Sequence, residues 1–207
     1  MSIEANFLHC EALSFAYTQQ RRVVDLWTQT LAPGLCWLRG ANGTGKSTRL
    51  KLLAGALTPQ YGTVRLQGLD LQAQPLDYRR QVSWVGAEPP PFEHLNPAER
   101  FAFLAGLYPR ADAAQWQAHV DGFGLTSFLH QPLSQLSTGT QHKAALAAAL
   151  ALQTPLLLLD EPLNALDAQS LSYLRARMAE AALARDRLWL VVSHEDLGVP
   201  PSACLDL

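Results

Sequence analysis

The chain has 207 residues, with 16 Lys plus Arg against 18 Asp plus Glu and a formal net charge of −2. That length supports one well-buried core, or one core with a small subdomain, and argues against two independent domains. No basic block or stripe occurs, so nucleic acid is not an expected partner, while a charged fraction of only 16% predicts an apolar surface of the kind that meets a partner.

The opening residues, MSIEANFLHCEALSF, lack the basic start and continuous apolar stretch of a signal peptide. Leu13, Phe15 and Tyr17 alternate onto one face, and Val23-Val24 follow Arg21-Arg22, which predicts short antiparallel strands. Leu35 to Leu38 reads as a buried strand, and Lys46 to Leu57 as a helix carrying Leu50, Leu52, Leu53 and Leu57. Between them, Gly40 to Ser47 reads GANGTGKS and fits GxxxxGK[ST] at every fixed position. Gly40, Gly43 and Gly45 permit backbone angles that turn successive N–H groups inward onto phosphate oxygens, and the helix N-terminus adds partial positive charge. Lys46 is placed to reach the β- and γ-phosphates of a nucleoside triphosphate, and Ser47 to ligate its magnesium ion.

Thr58 to Gly62 is a predicted turn, Thr63 to Leu66 a strand, and Val82 to Val85 another. Pro89-Pro90-Pro91 then breaks the chain, and from Pro97 to Leu152 the periodicity is helical, with Phe101, Leu104, Ala105 and Tyr108 on one stripe. Within this stretch LSTGTQ, residues 136–141, precedes an Ala-rich helix expected over Gln141 to Leu152, so Ser137 and Gly139 lie before a helix N-terminus, a second anion site or an ordinary Ser cap. Leu156 to Glu161, LLLLDE, reads as a buried strand delivering two carboxylates at its C-terminal end: Asp160 for the magnesium shell and Glu161 for the attacking water. NALD follows, ending at Asp167, then a helix over Ala168 to Ala184, a strand over Leu188 to Val192, and Ser193-His194. Alternation of strands and helices predicts an α/β fold with a mainly parallel sheet.

Read together, these segments resemble the nucleotide-binding domain of ATP-binding cassette (ABC) transporters over nearly the whole chain. GANGTGKS resembles that family's Walker A loop, LLLLDE its Walker B strand with catalytic Glu161, LSTGTQ its signature segment, NALD its D-loop, and His194 its switch histidine. The resemblance implies a P-loop NTPase core with an N-terminal antiparallel β subdomain and an inserted helical subdomain, residues 1–88 and 153–207 forming the core and 89–152 the insert. It implies ATP and Mg2+ as ligands. Gly40, Asn42, Gly43, Gly45, Lys46, Ser47 and Thr48 would hold the phosphates, Tyr17 would stack on adenine, and Ser47 and Asp160 would hold the metal. A head-to-tail pair of this chain, or of this chain and a related subunit, is also implied, with Ser137 and Gly139 meeting the nucleotide across the junction and Asp167 of the D-loop among the nucleotide-binding residues.

Two departures stand out. The signature usually reads LSGGQ, and here Thr138 and Thr140 replace a glycine and the glutamine. The family's magnesium- and water-contacting glutamine falls at Ala87, with Glu88 adjacent as a substitute ligand. The chain ends at Leu207, which leaves no room for the regulatory C-terminal domain of many importer ATPases and resembles short export-type ATPases, including the haem-exporter ATPase of cytochrome c maturation. The expected partner is an integral membrane subunit docking over Ala87 to Leu107, with the chain cytoplasmic and peripheral on the inner membrane face. Three unspaced cysteines, Cys10, Cys36 and Cys204, fit a reduced compartment. The alternatives are a soluble, non-transport cassette ATPase and a regulatory ATP-binding cassette.

Overall fold

A computed structural model describes residues 7–18, 22–86, 88 and 92–207. Its centre is a five-stranded sheet of β3 (Gly34–Arg39), β6 (Val82–Val85), β7 (Leu156–Asp160), β8 (Leu188–Val192) and β9 (Ala203–Asp206) in the order β6-β7-β8-β3-β9, every pair parallel. Parallel strands need covered faces, and that is why β7 shows four successive leucines instead of alternation. Leu157 and Leu159 join one apolar cluster with Leu35, Trp189 and Val191. Leu156 and Leu158 join the opposite one with Cys36, Leu38, Leu188 and Leu190. All of β7 is buried.

The first cluster is roofed by α5 (Thr138–Ala151) and α6 (Ala168–Ala184), with α3 (Pro97–Ala105) and α4 (Ala113–Gly122) packed outside them. The second is covered by α1 (Lys46–Leu53), α2 (Pro75–Arg79) and an antiparallel sheet. That sheet runs in the order β2-β1-β4-β5, from β1 (Leu8–Phe15), β2 (Val24–Leu31), β4 (Tyr61–Leu66) and β5 (Leu69–Asp70). The α/β class, the parallel core sheet and the N-terminal antiparallel sheet all agree with the reading of the sequence.

Boundaries differ in places. Helix α1 stops at Leu53, not Leu57, because Gly55 takes φ +69 and the Gly55 and Ala56 N–H groups turn back to Leu52 and Lys51 carbonyls. That pattern is a Schellman stop. The stripe of Leu13, Phe15 and Tyr17 does not stay on one face. Ala12 adopts φ 48, the pairing register shifts on both sides of Leu13, and exposure rises from buried Leu13 to exposed Tyr17. Helix α5 begins at Thr138, earlier than expected, because the Ser137 side chain caps it. Strand β9 and the short α2 were not expected at all.

Where α4 meets α6, His119 is buried and its Nδ1 shares a 2.8 Å hydrogen bond with the Tyr173 hydroxyl. Burial, helped by the charges of Arg177 and Arg187, pushes its pKa down to about 4. Above the ordinary imidazole pKa both folded and unfolded chains carry a neutral ring. Below it the unfolded chain binds a proton that the folded chain refuses, so stability falls with pH until the folded value is reached. His119→Gln should flatten this acid-side slope, removing about 2 kcal/mol of the loss at pH 5 relative to neutral pH. Urea unfolding of both proteins across that range checks it.

Candidate nucleotide site

Strand β3 ends at Arg39 and α1 begins at Lys46, so residues 40–45 must turn the chain within one tight loop. Gly43 and Gly45 do this at φ +80 and +84, a region closed to most side chains. Gly45 also has no room for a side chain, since a Cβ would lie 2.9 Å from the Val23 carbonyl oxygen. Helix α1 starts without a side-chain cap and without an acidic residue in its first turn. Its first N–H groups are therefore left to an anion from outside the helix. The Lys46 ammonium arches back over the loop, donating to the Gly40 and Ala41 carbonyls at 2.7 and 3.0 Å.

Across this loop stand the acids from β7. Asn42, Gly43, Gly45, Lys46, Ser47 and Thr48 share one cavity of about 370 Å³ with Asp160, Glu161 and His194. Asp160 is buried, which raises its pKa, while the Ser47 hydroxyl bonded to it and the charges of Lys51 and Lys46 oppose the rise. A buried carboxylate with a hydroxyl against it is an all-oxygen donor set suited to magnesium, which takes few protein ligands beside phosphate. Glu161 sits at φ 51, outside the strand conformation, with its N–H on the Val192 carbonyl at 2.8 Å. Its Oε2 accepts the His194 backbone N–H at 3.2 Å. Its Oε1 lies 3.2 Å from His194 Nε2 but is buried and out of line for a hydrogen bond. The Glu161 carboxylate thus stands at the cavity wall with one oxygen held by the His194 backbone and the other buried without a hydrogen bond.

The remaining predicted residues lie elsewhere. Tyr17 is 59% exposed beside a separate open depression with Arg22, Gln60 and Tyr61, and its hydroxyl shares a 3.3 Å hydrogen bond with Thr48 Oγ1, linking the two hollows. Ser137 and Gly139 do not line the Lys46 cavity. Ser137 Oγ accepts the Thr140 N–H at 3.2 Å, and a Cβ on Gly139 would lie 2.8 Å from the Ala165 carbonyl oxygen. Asp167 is likewise outside the cavity. It caps α6 through the Ser170 N–H and pairs with Lys143 at 2.9 Å, and these bonds hold its pKa down at about 2. Glu88, which the sequence offers as a substitute ligand, pairs with Lys51 at 2.7 Å; Ala87 and the proline run lie outside the described residues. Sequence reading passed over Val23, Asn164 and Val192 as site residues, which complete the cavity wall, although Asn164 stands within the NALD segment.

A glycine loop between a parallel strand and a helix, faced by acids from the end of a second parallel strand one place removed in the sheet, defines a P-loop nucleoside triphosphatase. Residues 29–164 match the family model described as ABC transporter. The chain belongs to the ABC transporter family as an ATP-binding subunit and is an ATPase. The cytochrome c biogenesis ATP-binding export protein CcmA of Yersinia pestis is 35% identical over 170 residues, 81% of this chain and 77% of that protein. The protein of the same name from Methylococcus capsulatus is 36% identical over 172 residues, covering 82% and 83%. A solved ATP-binding subunit of an ABC transporter superposes with a TM-score of 0.82 at 28% identity, over 91% of this chain and 80% of that one.

If Glu161 acts on water and not on binding, Glu161→Gln keeps the cavity's shape and removes the charge. ATP affinity should stay within about threefold of wild type while turnover drops by about a hundredfold or more. Steady-state hydrolysis beside equilibrium ATP binding checks both halves.

Proposed function

We propose that this chain powers an export system of the cytochrome c biogenesis kind, acting as a pair of ATP-binding subunits beneath a separate integral membrane subunit. The observation that supports it most is the single cavity that Asn42, Gly43 and Gly45 to Thr48 share with Asp160, Glu161 and His194, Gly40 lying outside its lining, in a chain whose relatives carry export and cytochrome c biogenesis in their names. Ser47 and Asp160 would hold magnesium, which supplies charge neutralisation at the β- and γ-phosphate oxygens. Lys46 exchanges the loop carbonyls for phosphate oxygens. The Glu161 carboxylate accepts the proton of a water whose oxygen bonds to the γ-phosphorus as the bridging bond to ADP breaks. His194, through its backbone N–H, keeps the Glu161 carboxylate turned to that water.

Pairing accounts for Ser137 and Gly139, which stand at a helix N-terminus away from their own chain's cavity. A ligand that binds the pair better than the single chain must shift the equilibrium towards the pair. Slow-hydrolysing Glu161→Gln protein should therefore move from monomer to dimer on adding MgATP in sedimentation velocity. A monomer at high protein concentration and saturating MgATP would count against pairing.

The membrane partner is assigned to the face of α3. Helix α3 is apolar on both sides: Phe101 stacks on Trp116 inside, with ring centroids 4.5 Å apart, while Phe103 packs edge-on against Phe92 outside. Phe92, Phe103 and Leu107 are each about half exposed. Such a cluster suits an apolar partner. No helix among the described residues is long and apolar enough to cross a membrane, so we place the chain on the cytoplasmic face, held there by its partner. Phe103→Glu with Leu107→Glu should abolish co-purification with the membrane subunit and leave basal ATP hydrolysis within about twofold. Unchanged assembly would move the docking face elsewhere.

A further inference from the structure

Arg49 is an unexpected residue for the inner face of α1. It is 8% exposed, and among the described residues no carboxylate lies within ion-pair distance of it. A desolvated guanidinium without a counter-ion is costly, and here burial lowers its pKa. Its contacts are few and specific. Nη1 donates to the Thr44 carbonyl at 2.7 Å, and the guanidinium lies 5.3 Å from the ring centroid of buried Trp27 on β2. Nε has no hydrogen-bond partner.

The Thr44 carbonyl belongs to the same planar peptide as the Gly45 N–H. In a trans peptide the two point in opposite directions. A carbonyl drawn towards Arg49 therefore turns the Gly45 N–H away from it. Gly45 lines the nucleotide cavity and Arg49 does not, so the side opposite Arg49 is the side where phosphate would lie. The guanidinium also packs directly behind the loop, since a Cβ on Gly45 would come within 3.0 Å of its Nη1. A positive charge fixed there, with no carboxylate to cancel it, lowers the energy of an anion in front.

We propose that Arg49, braced on Trp27, is a positioning residue for the phosphate loop. It holds the Thr44–Gly45 peptide with its N–H turned to the triphosphate and sets a buried positive charge behind it. Trp27 ties this brace to the antiparallel sheet, so the loop's geometry depends on both sheets. The proposal rests on the reading that residues 40–47 hold the triphosphate.

The test compares wild type, Arg49→Met, Arg49→Lys and Trp27→Phe by calorimetric titration with ATP and ADP, steady-state hydrolysis, and urea unfolding without nucleotide. Arg49→Met should weaken both nucleotides about tenfold and raise KM to match, with kcat held within about threefold. Its nucleotide-free stability should equal or exceed wild type, because methionine fills the space without a desolvated charge. Arg49→Lys should recover part of the affinity, keeping charge but not the fork or the stacking. In a 15N spectrum the Gly45 amide should shift strongly with ADP in wild type and far less in Arg49→Met. Wild-type affinity in Arg49→Met overturns the brace alone. Loss of affinity in step with loss of cooperative unfolding, in both Arg49→Met and Arg49→Lys, makes Arg49 a packing residue and overturns it too. A wild-type chain that binds neither nucleotide overturns the loop reading and the brace together.

Discussion

The parallel register of β7, β8 and β3 is the constraint from which the site follows. Val192 stands level with Asp160 on one side and Leu38 on the other. The three strands therefore end on one edge, and each releases something different there. Strand β3 releases the glycine loop after Arg39, β7 releases Asp160 and Glu161, and β8 releases His194 two residues beyond Val192. No long loop has to search for its place, because hydrogen bonds between strands set these exits within a residue of one another. Burial of Leu157, Leu158, Leu190 and Val191 on both faces locks that register, since a one-residue slip would exchange the two apolar clusters.

What was legible in the sequence was what is encoded locally. GANGTGKS places its glycines by spacing alone, and the unbroken apolar run of β7 signals burial on both faces. Helix α6 could be bounded because its Ala/Leu/Arg-rich stretch lies between two strand-like apolar runs, and in the structure Asp167 caps one end and Arg185, at φ 50, ends the other. Strand β9 carried no such signal. It is short and mostly exposed, and only its hydrogen bonds to β3 make it a strand. Helix α2 has five residues, too few to show a period. The partners of Glu88 and Arg49 were also out of reach, since both depend on which side chains a distant turn brings near.

Glu88 shows how tertiary contact settles a charge that sequence leaves ambiguous. A carboxylate next to the position of the family's glutamine would repel a triphosphate unless a cation offset it. Here Lys51, which also lies against the Trp84 ring, supplies that cation. The pair holds Glu88 with its pKa lowered, its charge met by α1 itself. Three basic residues of α1 thus divide their work: Lys46 faces the cavity, Arg49 lies behind the loop, and Lys51 neutralises an acid at its flank.

The start of α5 is joined to the segment after Glu161 by three contacts of different kinds. Gly139 abuts the Ala165 carbonyl, His142 Nε2 donates to the Pro162 carbonyl at 3.1 Å, and Lys143 pairs with Asp167. The middle contact reaches the residue next to Glu161, since Pro162 follows it directly in the chain. Burial also lowers the His142 pKa, which favours a neutral ring whose single N–H is directed to the carbonyl. Packed atoms and one 3.1 Å hydrogen bond therefore join the N-terminus of α5 to the chain beside Glu161. In the proposed pair, the end of α5 that meets one nucleotide is thereby coupled to the carboxylate that acts on the other. The two cavities would then be linked within each chain as well as across the junction.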